Sequence, residues 1–226
     1  MAEGLVIKGV SKFYSEGNNQ VTALDEVSIT INTGEFVAVV GPSGSGKSTF
    51  LSVSGALLKP SEGEVKLNGK DISKLSAKAL SHVRLQEIGF IMQSSNLIPY
   101  LNVLDQLLVV KRMAGKVTKA DKTFAMKLLE ELGLGSKLKS FPEELSGGEK
   151  QRTAIARALI NDPNVILADE PTASLDTKRA HEVVSLIAHE VKSRNKAAVM
   201  VTHDERMLEY CDMVYRMQDG KLTLVS

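Results

Sequence analysis

The chain has 226 residues, 43% of them hydrophobic, which is enough to bury one substantial core with a smaller lobe beside it. Its 28 Lys and Arg residues against 27 Asp and Glu residues give a net charge of +1 with the signs interspersed, so nucleic acid is not expected as a main partner. No apolar run reaches the roughly 18 to 20 residues that cross a bilayer, the first residues lack a signal-peptide pattern, and the single Cys211 cannot form an internal disulfide. We therefore expect a cytoplasmic protein in which Cys211 is a buried, unreactive thiol.

The N-terminal part of the chain alternates polar and apolar residues, which is typical of half-exposed strands. The alternation runs through residues 5–14 and 21–31, and the turn-rich residues 15–19 separate the two runs. An antiparallel β lobe is expected here. Residues 36–40 then form a short continuous apolar run, as in a buried strand, and a glycine-rich loop leads from it into a helix predicted at 49–58.

The middle of the chain changes character over residues 94–139, where Leu, Lys, Glu and Met recur at helical spacing. This pattern predicts a helical insertion, with one helix ended by Gly133. The apolar face of that helix is expected to consist of Phe124, Leu128, Leu129 and Leu132.

The remainder of the chain alternates helices and strands. Helices are predicted at 147–160 and 178–193, and buried strands at 165–168 and 197–202. The buried face of the second helix is expected to contain Ala180, Val183, Val184, Ile187 and Val191. Strands that alternate with helices predict an α/β fold, with a parallel sheet and helices on both of its faces.

Residues 41–48 read Gly-Pro-Ser-Gly-Ser-Gly-Lys-Ser, which matches the phosphate-binding pattern G-x-x-x-x-G-K-[ST] between a predicted strand and a predicted helix. The glycines let backbone N–H groups turn inward around phosphate oxygens, and the helix N-terminus adds partial positive charge. We expect Lys47 to reach the β- and γ-phosphates and the Ser48 hydroxyl to bind Mg²⁺. The other expected nucleotide contacts in this phosphate loop are Gly41, Ser43, Gly44, Ser45, Gly46 and Thr49. The alternative is a Gly/Ser-rich turn before an ordinary helix.

Two carboxylates, Asp169 and Glu170, follow the predicted strand at 165–168. Nucleotides bind at this end of the strands in open α/β sheets. Asp169 fits a position next to magnesium, and Glu170 fits a residue that orients and deprotonates the attacking water. A strand-terminal Asp that caps the next turn would explain one of the two carboxylates but not the pair.

Residues 145–152, Leu-Ser-Gly-Gly-Glu-Lys-Gln-Arg, resemble the signature of ABC ATPases, and they precede the Asp169–Glu170 strand as in that family. Ser146 and Glu149 also form a capping-box pattern that starts a helix, and both interpretations are compatible. The resemblance spans essentially the whole chain. It implies a P-loop NTPase with a RecA-like core, an N-terminal antiparallel β subdomain and an inserted α-helical subdomain. Residues 1–226 would form one ABC ATPase domain, with the core and β subdomain in 1–93 and 157–226 and the helical subdomain with the signature in 94–156.

The resemblance also implies roles for single residues. Ser146, Gly147 and Gly148 would contact the γ-phosphate held by the opposite subunit. Glutamine occupies the position of Glu149 in many signatures, so no phosphate contact is expected of Glu149.

Four further roles follow from position within the family. Tyr14 would stack on adenine, the alternative being packing at a strand end. Gln93 would join the magnesium and water site to the membrane partner. The segment 174–176 would cross the dimer interface through Asp176, the alternative being a helix N-cap. His203 would contact the γ-phosphate in catalysis, together with Lys47, Gln93 and Glu170. The other histidines, His82, His181 and His189, lack metal-ligand spacing and are expected on the surface.

The expected cofactors are ATP and Mg²⁺. The expected partners are a second copy of the chain, which would close two ATP molecules between the protomers, and an integral membrane permease of few spans. This would place the chain at the cytoplasmic face of a bacterial cell membrane.

Within the family, residues 141–144 and 166–175 are most similar to the MacB, LolD and FtsE group, and residues 93–107 to the ATP-binding subunits of bacterial haem-efflux transporters. The resemblance implies the motor subunit of an exporter, with haem as the leading substrate. The alternatives are drug or peptide export, lipoprotein release and cell-division signalling. A non-transport ABC ATPase of DNA repair or translation is disfavoured, since the chain lacks long coiled coils and zinc modules.

Overall fold

The computed structural model describes residues 2–16, 19–173 and 175–225 and contains two sheets. The first is antiparallel, in the order β2-β1-β4-β5. Its strands are β1 (Glu3–Glu16), β2 (Asn19–Asn32), β4 (Glu62–Leu67) and β5 (Lys70–Asp71). This sheet confirms the N-terminal β lobe. The turn expected at 15–19 is shorter than predicted, because Ser15 already pairs with Gln20; residues 17 and 18 lie outside the described part of the chain.

The second sheet has the order β10-β9-β3-β8-β7-β6. Its strands are β3 (Phe36–Val40), β6 (Ile88–Ile91), β7 (Val165–Asp169), β8 (Ala197–Val201), β9 (Met213–Gln218) and β10 (Lys221–Leu224). The strands from β9 to β6 are parallel, and β10 pairs antiparallel with β9. Every residue of β3 and β8 is buried, as their continuous apolar runs predict. The hairpin β9–β10 mixes buried and exposed residues and was not indicated by the sequence pattern.

Six α-helices accompany the sheets in the described part of the chain. They are α1 (Lys47–Ser54), α2 (Ala77–Glu87), α3 (Val103–Ala114), α4 (Lys119–Glu131), α5 (Gly147–Leu159) and α6 (Thr177–Ser193). The helix predicted at 49–58 is α1, which begins two residues earlier and ends at Ser54; Gly55 is its C-cap, and Ala56 then adopts a positive φ. The insertion predicted at 94–139 contains α3 and α4, whereas residues 94–102 form a loop.

The hydrophobic core lies on both faces of the parallel sheet. One cluster packs α3 to α6 against it, and the other fills the space between this sheet, the β lobe, α1 and α2. All five residues expected on the inner face of α6 are buried. Leu128, Leu129 and Leu132 are buried as predicted, and Phe124 is partly buried. The RecA-like α/β architecture with an N-terminal β lobe and a helical insertion is therefore confirmed.

The boundaries of the helical subdomain, predicted between residues 93 and 94 and between 156 and 157, stay a prediction. Helix α5 continues through the second boundary. Across the described residues, every helix is too short or too polar to cross a bilayer.

Candidate nucleotide site

The phosphate loop meets α1 at Gly46, whose backbone only glycine accepts readily. Gly46 has φ 106°, and a Cβ atom there would lie 2.4 Å from the Ala23 carbonyl oxygen. Gly46 also occupies the N-cap of α1 without a side-chain cap. The amides of the first helical turn therefore keep their donors for another acceptor, which is the condition for binding an anion.

Two of the polar side chains of the phosphate loop are buried. Lys47 is only 9% exposed, and its Nζ donates hydrogen bonds to the carbonyl oxygens of Gly41 (2.7 Å) and Pro42 (2.8 Å). The Ser45 hydroxyl is buried and has no hydrogen-bond partner among the described residues. A buried hydroxyl of this kind is costly unless a ligand satisfies it, and a phosphate oxygen would do so.

Asp169 is the last residue of β7, which lies between the parallel strands β6 and β8, and Glu170 follows it. Burial, followed by the charge of Glu170, raises the pKa of Asp169, and the Lys47 ammonium opposes that rise. Glu170 has a positive φ of 44°, and its N–H donates to the Val201 carbonyl at 2.9 Å. Its carboxylate lies 2.7 Å from His203 Nδ1. A non-glycine residue held in this strained region by its surroundings is typical of functional sites.

The phosphate loop, the carboxylates and the histidine surround one cavity of about 420 Å³. The predicted residues that line it are Gly41, Ser43, Gly44, Gly46, Lys47, Ser48, Thr49, Asp169, Glu170 and His203. The lining residues not predicted are Val21, Thr22, Ala23 and Val201. The first three belong to β2 of the β lobe, so the cavity wall combines both sheets. The one signal in the sequence for these β2 residues is Tyr14, which was expected at the adenine and lies on the neighbouring strand of the hairpin.

Tyr14 and Gln93 do not line this cavity. Tyr14 pairs with Val21 across β1 and β2, which brings it next to the cavity wall, and its side chain is 40% exposed. The Lys12 ammonium lies 5.5 Å from the centre of the Tyr14 ring. Gln93 is exposed and lies two residues after the end of β6.

The signature residues Ser146, Gly147 and Gly148 lie at the start of α5 and also lie outside the cavity. Ser146 caps the helix by accepting from the Glu149 amide at 3.3 Å, and Glu149 accepts from the Ser146 amide at 2.8 Å. This confirms the capping box. Lys137 lies 3.4 Å from the other Glu149 oxygen. Hydrogen bonds from Ser146, assisted by Lys137, lower the pKa of Glu149, so its carboxylate is stabilised in the charged form.

Asp176 caps α6 by accepting from the Arg179 amide at 3.0 Å, which confirms the N-cap alternative. Like the signature, Asp176 does not line the cavity. Its contact with a second subunit stays a prediction, and Ser174, at the start of the same segment, lies outside the described residues.

Two side chains of α5 that were not predicted tie this helix to the site. Gln151 is buried, and its Nε2 donates to the carbonyls of Pro171 (3.0 Å) and Met92 (3.5 Å), the neighbours of Glu170 and Gln93. Arg157 donates to two carbonyls of the 94–102 loop, those of residues 95 and 96. Burial lowers the pKa of the Arg157 guanidinium. Helix α5 thus binds the segments that follow β6 and β7 through their backbone carbonyls. Because any residue type supplies a carbonyl, these contacts could not be predicted from a sequence motif.

His82 and His189 are exposed. His181 lies at the surface but is half-buried, with 33% of its side chain exposed, and its Nδ1 lies 3.0 Å from the Tyr210 hydroxyl and 3.1 Å from Glu209 Oε1. No cluster of metal ligands of the His, Cys, Asp and Glu type occurs in the described ranges. Burial raises the pKa of the partly buried Cys211 thiol to about 12, in agreement with an unreactive cysteine.

The site fits a nucleoside triphosphate with a divalent cation. Uncapped amides and Lys47 supply donors for phosphate oxygens, and the buried Ser45 hydroxyl lies in the same loop without lining the cavity. The carboxylates of Asp169 and Glu170 and the Ser48 hydroxyl line the same cavity, and such oxygen ligands are those that a hard divalent cation takes. Fold and site together define a P-loop nucleotide-binding protein that is equipped for hydrolysis.

Comparisons with known proteins specify the family. The profile of the family described as "ABC transporter" matches residues 24–173. The "Putative hemin import ATP-binding protein HrtA" of Staphylococcus haemolyticus is 47% identical over 220 residues, 97% of this chain and 99% of the relative. The protein of the same name from Staphylococcus aureus strain N315 is 44% identical over 219 residues, 97% and 99% of the two chains.

Solved structures agree with this assignment. The dimeric bacterial ABC transporter cassette MJ0796 has a TM-score of 0.85 and 36% identity, covering 96% of both chains. The same cassette, solved as a dimer in a post-hydrolysis state with ADP and Pi, gives a TM-score of 0.84 and 36% identity over 98% of this chain and 99% of that one. The present chain belongs to the ABC transporter family. It is an ATP-binding ABC ATPase, the motor subunit of a transporter.

Proposed function

We propose that this chain is the ATP-hydrolysing subunit of a haem transporter, and that it works as a homodimer on the cytoplasmic face of a bacterial cell membrane. The observation that carries the ATPase part is the convergence of Lys47, Asp169, Glu170 and His203 on one cavity. A regulatory ATP sensor without turnover would not need the last two residues next to each other. Nucleic acid is no part of this proposal.

The residues of the cavity suggest a division of roles. Lys47 exchanges its two carbonyl partners for the β- and γ-phosphate oxygens of ATP. Glu170 accepts a proton from water as the water oxygen attacks the γ-phosphorus and the bond to the ADP oxygen breaks. His203 holds the Glu170 carboxylate and contacts the γ-phosphate.

Magnesium would be held by the Ser48 hydroxyl, by Asp169 and by Gln93. When bound, the cation would neutralise charge on the phosphate oxygens. Ser48 and Asp169 line the same cavity as the phosphate loop, which supports this proposal. Gln93 is exposed and does not line the cavity, so its contact with the cation is proposed from the family resemblance.

The proposal of a dimer rests on the absence of the signature residues from the cavity of their own chain. The capped start of α5, with Ser146, Gly147 and Gly148, is a second anion-binding element that does not line it. Two chains in head-to-tail arrangement would bring each signature to the other chain's ATP, and the MJ0796 cassette, 36% identical, is described as dimeric. Tyr14 would stack on the adenine, with Lys12 moved aside or kept on the other ring face.

The membrane partner would dock at the 94–102 loop and α3. The loop is held rigidly by Gln106 and Arg157, and it presents Tyr100, which is 79% exposed. A large exposed aromatic on an ordered loop is typical of an anchor in a protein interface. An integral membrane permease of few spans is the partner implied by the resemblance to the MacB, LolD and FtsE group.

Haem is proposed from the relatives that carry hemin in their names and match over nearly the whole chain. Those names state import, whereas the resemblance of residues 93–107 favours efflux. The direction of transport depends on the permease, because the ATPase cycle of this chain is the same in both cases. We propose export, and the growth experiment below distinguishes the directions.

Substitution of Glu170 tests the ATPase mechanism. Glu170→Gln should retain ATP binding, lose nearly all steady-state hydrolysis and accumulate as an ATP-bound dimer, because the base is lost while the phosphate contacts remain. Lys47→Ala should instead weaken nucleotide binding itself. Glu182→Gln, an exposed carboxylate on α6, is the matched control and should hydrolyse ATP at the unaltered rate. Robust turnover by Glu170→Gln would contradict the assigned base.

Deletion of the gene tests the substrate. Export predicts that the deletion strain stops growing at haem concentrations that the parent tolerates, and that wild-type protein, but not Glu170→Gln, restores growth. Import predicts normal tolerance and poor growth on haem as the iron source. Indifference to haem in both media would favour drug, peptide or lipoprotein transport, or cell-division signalling, and co-purification with ribosomes or DNA rather than a membrane protein would favour a non-transport ATPase.

A further inference from the structure

Arg179 extends from the third position of α6 to the start of α5. Its Nη1 atom lies 3.8 Å from the position that a Cβ atom on Gly147 would occupy. Its Nε lies 3.3 Å from Asp176 Oδ2, and about half of its side chain is exposed. Within the ranges that the structure describes, no hydrogen bond from its two terminal nitrogens is formed. The guanidinium is therefore held at the signature with donors that face outward.

Among the other charges near this point, Glu149 is bound by the Ser146 amide and by Lys137. Arg152 is a second cation here: its Nη1 lies 3.6 Å from the position of a Cβ atom on Gly148, and its Nε is buried without a hydrogen-bond partner among the described residues. Asp176 is the one carboxylate paired with Arg179, and it is 59% exposed. An exposed ion pair is weak and exchanges readily for a stronger acceptor.

We propose that Arg179 is a further nucleotide-binding residue, which contacts the γ-phosphate held by the opposite subunit. The inference rests on the proposed dimer. In the separate protomer Asp176 holds the guanidinium beside Gly147, and on closure a phosphate oxygen replaces Asp176 as its partner. Asp176 is thereby released for the contact across the interface that the resemblance implies for it.

The chemistry of the pair supports this exchange. Arginine presents a planar set of donors that binds phosphate through two parallel hydrogen bonds, and such charge-assisted bonds are about twice as strong as neutral ones. Backbone amides of Gly147 and Gly148 alone carry only partial charge. Arg179 would add a full positive charge where the two subunits must hold the γ-phosphate. Closure of the dimer would then depend more strongly on the presence of the γ-phosphate.

The test measures ATP-driven dimerisation in the Glu170→Gln background, by sedimentation during titration with ATP at saturating Mg²⁺. Arg179→Ala should raise the ATP concentration for half-maximal dimerisation by about 10- to 100-fold, as expected for a lost charged hydrogen bond. Nucleotide affinity of dilute protomers, measured with a fluorescent ATP analogue, should stay the same, because the phosphate loop belongs to the other subunit. Arg179→Lys should be intermediate, since it keeps the charge but not the paired donors.

Lys178→Ala is the matched control, because Lys178 is the neighbouring exposed cation and points to another side of α6. It should shift dimerisation less than about threefold. An Arg179→Ala protein that dimerises like its parent would overturn the inference while the proposed function stands. A Glu170→Gln parent that stays a protomer at saturating Mg-ATP would overturn the dimer and the inference together. Thermal unfolding of each variant shows whether the substitution damages the fold. If Arg179→Ala does, Arg179→Lys is compared with the parent in its place.

Discussion

The substitution Gln106→Leu isolates the force that shapes the 94–102 loop. Gln106 is fully buried in α3, and its amide donates to the carbonyls of Ile98 (2.7 Å) and Leu101 (2.9 Å) and accepts from the Ile98 amide (3.1 Å). Leucine has nearly the same volume, so little cavity forms. The Ile98 carbonyl keeps its bond from the Leu101 amide, but the Ile98 amide and the Leu101 carbonyl lose their partners.

Two unsatisfied, part-buried backbone groups at about 1 to 3 kcal/mol each suggest a loss of about 3 kcal/mol in unfolding free energy. For a chain of this size that corresponds to a fall in Tm of about 6 to 12 °C. Calorimetry and urea unfolding measure both quantities. Gln218→Leu, at an exposed glutamine of β9, is the control and should alter stability by less than about 0.5 kcal/mol. A Gln106→Leu protein as stable as the control would refute the view that these hydrogen bonds hold the loop.

Three further predictions concern single side chains. Gly46→Ala should lower nucleotide affinity by about tenfold or more, because the added methyl group would meet the Ala23 carbonyl oxygen at 2.4 Å. Gly69 also has a positive φ, but no atom lies near the position of its Cβ, so Gly69→Ala should leave affinity unchanged in the same titration. Hydrogen bonds lower the pKa of Glu149 in the folded state. The charged carboxylate therefore stabilises the fold fully above its unfolded pKa of about 4.3, and this contribution is lost as the pH falls through the folded pKa. In urea unfolding, Glu149→Gln should be less stable than the wild type at pH 7, and the difference should shrink at acid pH. Cys211, with its pKa raised to about 12, should resist iodoacetamide at pH 8 in the native protein and react once urea unfolds it; rapid native alkylation would contradict its burial.

The parts of this protein that were predictable are those in which neighbouring residues act together. The phosphate loop, the Asp169–Glu170 pair and the capping box of Ser146 and Glu149 each lie within eight consecutive residues, so spacing alone carries their chemistry. The buried strands β3, β7 and β8 were visible because a strand covered on both faces must be apolar throughout. The amphipathic face of α6 followed from its period in the same way.

Errors arose where local pattern is weak. The helix predicted at 49–58 ends at Ser54, and residues 94–102 form a loop although they share the leucine content of the helices beside them. Composition at helical spacing does not reveal that Gln106 binds the backbone of this loop from eight residues away. The contact of His181 with Tyr210 was not predictable, because it joins two separate elements.

Sequence alone determined the nucleotide chemistry and the layered α/β core, because both follow from short-range spacing and from the burial of apolar runs. Tertiary structure alone decided that β2 walls the cavity, that Gln151 and Arg157 link the signature helix to the segments around Glu170 and Gln93, and that Arg179 lies beside Gly147. The physical reason is that these contacts join side chains to backbone or to residues far along the chain. Such partners impose no residue type and no period on the sequence, so only the folded chain reveals them.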